Sequence, residues 1–447
     1  MNNSLLIKNG TIATLGSENK IIENGAIAIK EGMIEKFGKY TDVVKNESDF
    51  DKVIDANGKL IMPGFINQHM HFYSTFARGM MPKQPPAINF VEILEKLWWP
   101  LDKGLNEKDL YYSAIIPLIN GIRSGTTTVF DHHESQGFQM GSLDVIEKAL
   151  AETGVRGNIC LGLSDRYGKG KEGIDENVRF IKKLQDKNYN NNLITAMFGL
   201  HAAFTVEEDS LIKSAEEAKK LGVGFHIHVA EDLADQVISK YKYNKSVIKR
   251  LHDAGCLNSK TMAIHCIFMS DEEIEILKNT ETSVVHIPQS NMNNGVGVAD
   301  VLKIMENRIL CGIGTDGMSP GVQSDVKTAN ILHKINKRDP RIFFCESCQL
   351  VLSNNSLISN KILPKKIGVI EEGFCADIIL LNYNTPTPLR ADNFFGHFLF
   401  GICDTAVDTT IVNGKILMEN GEIKCVDEKA IFKASCKQAE DFWKNRF

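Results

Sequence analysis

From Pro63 to about residue 360, eight short apolar, β-rich runs alternate with helical stretches, the runs ending near Asn67, Phe130, Leu163, Leu200, Val229, Ile264, Ile287 and Thr315. Strands separated by helices cannot be joined as hairpins. They read as parallel strands with helical crossovers. Eight such units are the number in a (β/α)8 barrel, whose chemical groups sit at the carboxyl ends of the strands. The expected fold class is therefore α/β, a (β/α)8 TIM-like barrel over residues 63–360. At 447 residues the chain is longer than this unit, which leaves room for a second, smaller module.

That module is expected from the two ends together. Residues 1–62 alternate apolar and polar positions between Asn9-Gly10, Asn24-Gly25 and Asn57-Gly58, pairs that favour hairpin turns. Residues 361–447 repeat the pattern, with Asn413-Gly414 and Asn420-Gly421. The segments Ile7–Ile12 and Ile411–Ile416 share one local pattern. Both ends are thus expected to build one composite β-sandwich domain.

Composition narrows the function. A hydrophobic share of 43% and a charged share of 24% are those of an ordinary globular chain. The net charge of -5 gives no basic surface for nucleic acid or an anionic membrane, so a small-molecule partner is expected. Polar residues at Asn2, Asn3 and Lys8 argue against a signal peptide, and no 18-residue apolar run is present. Ten scattered cysteines fit reduced thiols and a cytoplasmic location. Cys345 and Cys348 have C-x-x-C spacing but lie in a helical-looking apolar stretch with no second pair, and read as structural.

The chemistry gathers at the expected strand ends. His69, His71, Asp131, His132, His133, His201, His228, Glu231, His265, His286 and Asp316 all fall at or just after the apolar runs. His69 and His71 are two residues apart, so on extended backbone both rings project from one face and can reach one ion. His226 and His228 offer the same spacing; His228 is favoured because Glu231 follows it by three residues, where a carboxylate can face both substrate and water. Asp316, in Gly314-Thr315-Asp316-Gly317, brings a carboxylate to a crowded centre. Three nitrogens from His69, His71 and His228 with one oxygen from Asp316 leave a coordination position for water, the mark of a catalytic site.

A zinc-type divalent transition metal makes hydroxide available near pH ~7. Glu231 or Asp316 can take its proton, Glu231 can deliver a proton to the leaving group, and His265 can steady the attacking oxygen. Arg78 and Gln289 are further candidates for ligand contact. His132-His133-Glu134 with Cys345-x-x-Cys348 superficially supplies the parts of an H-x-E…P-C-x-x-C zinc deaminase, but Phe344 stands where the proline is required.

At these residues the chain resembles the amidohydrolase superfamily, in its cytosine deaminase, guanine deaminase and triazine hydrolase-like branch. The likeness rests on Pro63-Gly64-Phe65-Ile66-Asn67-Gln68-His69-Met70-His71, His228-Val229-Ala230-Glu231, His265-Cys266, Pro288-Gln289-Ser290-Asn291 and Gly314-Thr315-Asp316-Gly317. Residues 73–80 and 127–133 resemble the SsnA-type aminohydrolases. The resemblance implies a barrel with a composite β-domain, one zinc or iron ion, deamination of a cyclic nitrogen-rich small molecule with release of ammonia, and a homodimer. His201 stands where two-metal relatives carry a bridging lysine, which implies a single metal and a substrate-binding role for His201. Asp102, in Trp99-Pro100-Leu101-Asp102, resembles the acidic residue that grips ribose in nucleoside deaminases. Met292-Asn293-Asn294-Gly295 replaces the Leu-Lys-Leu-Gly type of run common in relatives, which leaves the substrate open. Hydrolysis of a ring amide or a ring C-Cl bond would use the same activated water. A metal-binding protein without catalysis is disfavoured because Glu231, His265 and Asp316 are all present.

Overall fold

The computed structural model describes residues 4–16, 18–81, 83–189 and 193–447; Asn2 and Asn3 lie outside them. Strands from both ends of the chain share one nine-stranded sheet. From the amino-terminal end come β1 (Ser4–Ala13), β2 (Ile21–Lys30), β3 (Met33–Lys39), β4 (Lys52–Asp55) and β5 (Leu60–Pro63). β5 pairs antiparallel with a strand from near the other terminus, Ile378–Leu381.

The Asn-Gly pairs behave in two ways. Asn413-Gly414 and Asn420-Gly421 are two-residue hairpin turns with positive φ at both positions, as expected. The other three are not hairpins. Asn9-Gly10 and Asn24-Gly25 lie inside β1 and β2, where the register shifts, and Asn57-Gly58 joins β4 to β5, which both run parallel to β1. Asparagine and glycine both tolerate the left-handed backbone, and a bulge needs that conformation as much as a turn does. The β2–β3 hairpin turns instead on Glu31-Gly32.

Between these ends lie two parallel sheets. One contains β6 (Phe65–Met70), β7 (Thr126–His133), β8 (Arg156–Leu161) and β9 (Ile194–Ala196); the other contains β10 (Phe198–Ala202), β11 (Phe225–Val229), β12 (Met262–His265), β13 (Ser283–His286) and β14 (Cys311–Ile313). Single parallel bridges at Leu163–Leu200 and Met70–Asp316 join the segment after β8 to β10 and β6 to the segment after β14. Ile66, Phe130, Met262, Ile264 and Val285, from strands of both sheets, form one buried apolar cluster with Met197, which lies between β9 and β10. The remaining strands, β15 (Ile378–Leu381), β16 (Val407–Val412), β17 (Lys415–Glu419) and β18 (Glu422–Ile423), complete the sheet of the two ends.

Two contacts tie these parts together. Arg156 on β8 makes two hydrogen bonds, at 2.9 and 3.1 Å, to the buried carboxylate of Asp377 just before β15. The terminal helix Glu428–Asn445 packs on the helix Glu107–Arg123, with Gln438 donating to Asp109 at 2.7 Å and the Trp443 indole donating to Phe76 O at 2.8 Å. Among the described residues, no helix is long and apolar enough to cross a membrane.

Candidate metal centre

The carboxyl end of β6 carries His69 and, one residue past the strand, His71. Extended backbone puts both rings on one side, with centroids 4.7 Å apart. His226 and His228 occupy β11 by the same rule. Opposite them the chain leaves β14 through Gly314, where a Cβ would lie 2.7 Å from the His69 backbone nitrogen. Only glycine permits that approach. The N–H groups of Thr315 and Asp316 then donate to His69 O at 2.8 and 3.0 Å. Asp316 (φ 56°) and His265 (φ 70°) adopt the left-handed backbone, which a non-glycine residue keeps only where its surroundings hold it.

The ring nitrogens show what the centre can hold. His71 Nδ1 donates to His132 O and His228 Nδ1 donates to His201 O, each at 2.6 Å. With those protons on Nδ1, both Nε2 atoms present lone pairs. They nevertheless lie 3.1 Å apart, and His71 Nε2 is also 3.1 Å from Asp316 Oδ1. Lone pairs this close repel unless a cation lies among them. Among the described residues His69 Nε2 is buried without a hydrogen-bond partner, while its Nδ1 is 2.8 Å from His226 Nε2.

Ligand atoms of His69, His71 and His228 fall within 4.8 Å of one another, as do those of His69, His265 and Asp316. Two nitrogens bound ~2.1 Å from one ion sit roughly 3 Å apart, so the donor set fits a divalent transition metal. Burial pushes all three of His69, His71 and His228 below the usual histidine range, which keeps the rings neutral and able to coordinate.

Two carboxyl groups beside this cluster are driven apart. Burial, and then the charge of Asp316, pushes Glu231 well above the usual carboxylate range. Burial also raises Asp316, but His71, His265 and the Ser290 hydroxyl outweigh it and hold the group below its usual range. Neighbouring carboxyls with opposite shifts are suited to different acid-base roles. Glu231 Oε2 lies 3.3 Å from His265 Nε2, and His265 Nδ1 is 2.7 Å from Asn291 Oδ1.

A cavity opens on the cluster, walled by Tyr73, Phe90, Leu94, Trp98 and Phe204 and floored by His71, His201, His228, Glu231 and Asp316. His201 thus lines it, with Nδ1 2.7 Å from Thr205 Oγ1. Arg78 stands in an adjoining recess that shares Trp98, Asn294 and Asp316 with the cavity. Asp102 and Gln289, expected as substrate contacts, are not brought to the cavity wall. Asp102 is buried and accepts from Arg166 at 2.8 Å, because a desolvated carboxylate turns to the nearest cation. Gln289 faces the helix Gln323–Lys337 and donates to Thr328 at 3.2 Å.

Several cavity residues escaped the sequence reading. Phe90, Leu94 and Phe204 carry no sign that separates a cavity wall from a core. Asn294 was marked only as part of a departure from the pattern of relatives. His226 proves to be the partner of His69 Nδ1, and His132 supplies the carbonyl that orients His71.

The profile of the amidohydrolase family matches residues 60–417. The chain belongs to the amidohydrolase family. Among its relatives, a 5'-deoxyadenosine deaminase of Methanosarcina acetivorans is 32% identical over 98% of each chain. A 5-methylthioadenosine/S-adenosylhomocysteine deaminase of Carboxydothermus hydrogenoformans is 32% identical over 96% of each. In structure, a zinc-bound adenosine deaminase from Xanthomonas campestris matches 98% of each chain with a TM-score of 0.84 at 20% identity. Escherichia coli guanine deaminase covers 93% of this chain and is itself covered over 99%, with a TM-score of 0.78 at 19% identity. These solved structures imply a TIM-barrel type of fold for this amidohydrolase.

Proposed function

We propose that this amidohydrolase is a mononuclear, metal-dependent aminohydrolase that removes the exocyclic amine of an adenosine-type nucleoside and releases ammonia. The observation that carries the reading is the convergence of three buried histidines and Asp316 beside Glu231 and His265, in a chain that aligns over nearly its whole length with nucleoside deaminases. His69, His71, His228 and Asp316 would hold one ion, zinc by preference. Such an ion, when bound, supplies a water acidic enough to attack an electron-poor ring carbon near neutral pH.

The protein's groups do the rest. Asp316, kept ionised, takes a proton from the attacking water while Glu231, kept protonated by burial, gives its own to the adjacent ring nitrogen, so the carbon becomes tetrahedral. Glu231, now ionised, takes the second proton of the same oxygen, and Asp316 holds the first. Transfer of the proton on Asp316 to the amine breaks the carbon–nitrogen bond, and ammonia leaves a ring carbonyl behind. His265 Nε2, beside Glu231, steadies the attacking oxygen, and His201 holds the substrate from the cavity floor. The aromatic walls supply stacking faces for a flat base.

The two parallel sheets are read as one closed (β/α)8 barrel over residues 63–360, supported by the bridges at both junctions. Residues 1–62 and 361–447 form the second domain, supported by their shared sheet. Ten free cysteines support a reducing, cytoplasmic setting.

The test is ammonia release by the zinc-loaded protein from 5'-deoxyadenosine, methylthioadenosine and adenosine, with guanine and cytosine as comparators. Conversion of an adenosine derivative to its inosine counterpart is expected. Release from guanine or cytosine alone, or from none of the five, would overturn the substrate class.

A further inference from the structure

The helix Pro288–Asn294 follows β13 and presents Ser290 and Asn294, four residues apart and so on one face, to the recess that adjoins the cavity, and Asn294 lines the cavity as well. The Ser290 hydroxyl donates to Asp316 Oδ2 at 2.6 Å. The Asn294 amide nitrogen lies 3.3 Å from both Glu231 Oε1 and Ser290 Oγ, while its carbonyl oxygen accepts from the Asn293 side chain at 3.2 Å. Each N–H of that amide therefore has its own acceptor, and the orientation of the group is fixed by its partners. One amide and one hydroxyl thus link Glu231, which follows β11, to Asp316, which follows β14.

The terminal torsion of a glutamate is broad unless something holds it. Here Asn294 holds Oε1, and Oε2 is left facing His265 Nε2 at 3.3 Å. We propose that Asn294 is a positioning residue that sets the plane of the Glu231 carboxyl group and its relation to Asp316. The inference rests on the reading of Glu231 as the proton carrier. Asn294 lies in the run Met292-Asn293-Asn294-Gly295 at the end of the helix after β13. A leucine there would fill similar space and make none of these bonds.

Three variants test the proposal: Asn294→Leu, Asn294→Gln and Asn294→Asp. In Asn294→Leu, metal content is expected to stay at the wild-type level and KM to change little, while kcat falls at least ~10-fold, the upper scale of one hydrogen bond. Asn294→Gln, which keeps the amide on a longer arm, should recover part of that loss. Asn294→Asp, the same size but offering Glu231 only acceptors, should be impaired like the leucine variant, and it carries the test if Asn294→Leu does not fold.

Wild-type kcat in the leucine and aspartate variants, a loss confined to KM, or no recovery in Asn294→Gln would each overturn the proposal. Crystal structures of wild type and variant give a readout independent of turnover. The Glu231 carboxyl group should turn away from His265 or occupy several rotamers without Asn294. An unchanged Glu231 overturns the inference even if the wild-type enzyme proves to act on another substrate. A displaced Glu231 in a protein that deaminates nothing would sustain it while the proposed function fails.

Discussion

Two sets of buried histidines, one at strand ends and one between the end of β13 and the helix Gln323–Lys337, are set apart by their second nitrogens. In His71 and His228 a backbone carbonyl takes Nδ1, in His69 a neighbouring ring takes it, and the three remaining nitrogens converge. In the pair His286 and His333 the Nε2 atoms face each other at 3.2 Å, neither Nδ1 has a partner, and the His333 ring stacks on Phe343 at 3.8 Å. One hydrogen bond between two neutral rings accounts for the close approach in the second set, whereas the first presents lone pairs that only a cation reconciles. A carbonyl that fixes the tautomer is what makes a strand-end histidine available to a metal.

The largest effect expected from this contrast is at His69. His69→Ala should lower metal affinity by more than ~100-fold and abolish ammonia release, read by elemental analysis and assay on one preparation. Full metal content in that variant would remove His69 from the ligand set. Glu231→Gln should separate binding from chemistry. The amide keeps the shape but cannot carry a proton, so metal content and substrate affinity should hold while turnover falls at least ~100-fold. A variant that turns over near the wild-type rate would exclude Glu231 as the shuttle, and one that loses its metal would make it a ligand.

The smallest effect is expected in the other set. His333→Phe should leave metal content and turnover within ~2-fold of wild type, since a ring that packs is replaceable by a ring. Its signature is acid stability. Burial lowers His333 to about 4, so between pH ~6.5 and that value the unfolded chain binds a proton that the folded chain refuses. Stability from this residue is full above the unfolded value and is lost as pH falls. The drop in Tm between neutral pH and pH ~4.5 should therefore be smaller in the variant. An equal drop in both proteins would place the acid sensitivity elsewhere.

How much of this the sequence revealed depended on how local the cause was. The ligand candidates were legible because His69 with His71, and His228 with Glu231, are set by the spacing of extended backbone. Strand ends were legible because polar residues interrupt the apolar runs there. The Asn-Gly pairs misled at three positions because a bulge, at Asn9-Gly10 and Asn24-Gly25, and a non-hairpin turn, at Asn57-Gly58, ask the same backbone freedom of the same residues as a hairpin does. Asp102 and Gln289 were placed by partners that no spacing reveals: Arg166 lies 64 residues from Asp102, and Thr328 lies 39 from Gln289. Asn294 was visible only as an odd residue, since its role depends on Glu231 arriving from another strand.

The most direct test of the central claim is anomalous diffraction at the zinc edge from crystals of the zinc-loaded wild-type protein. The account predicts a single peak per chain, ~2.0–2.2 Å from Nε2 of His69, His71 and His228 and from a carboxylate oxygen of Asp316. Two peaks, or a single peak between His286 and His333, would contradict it.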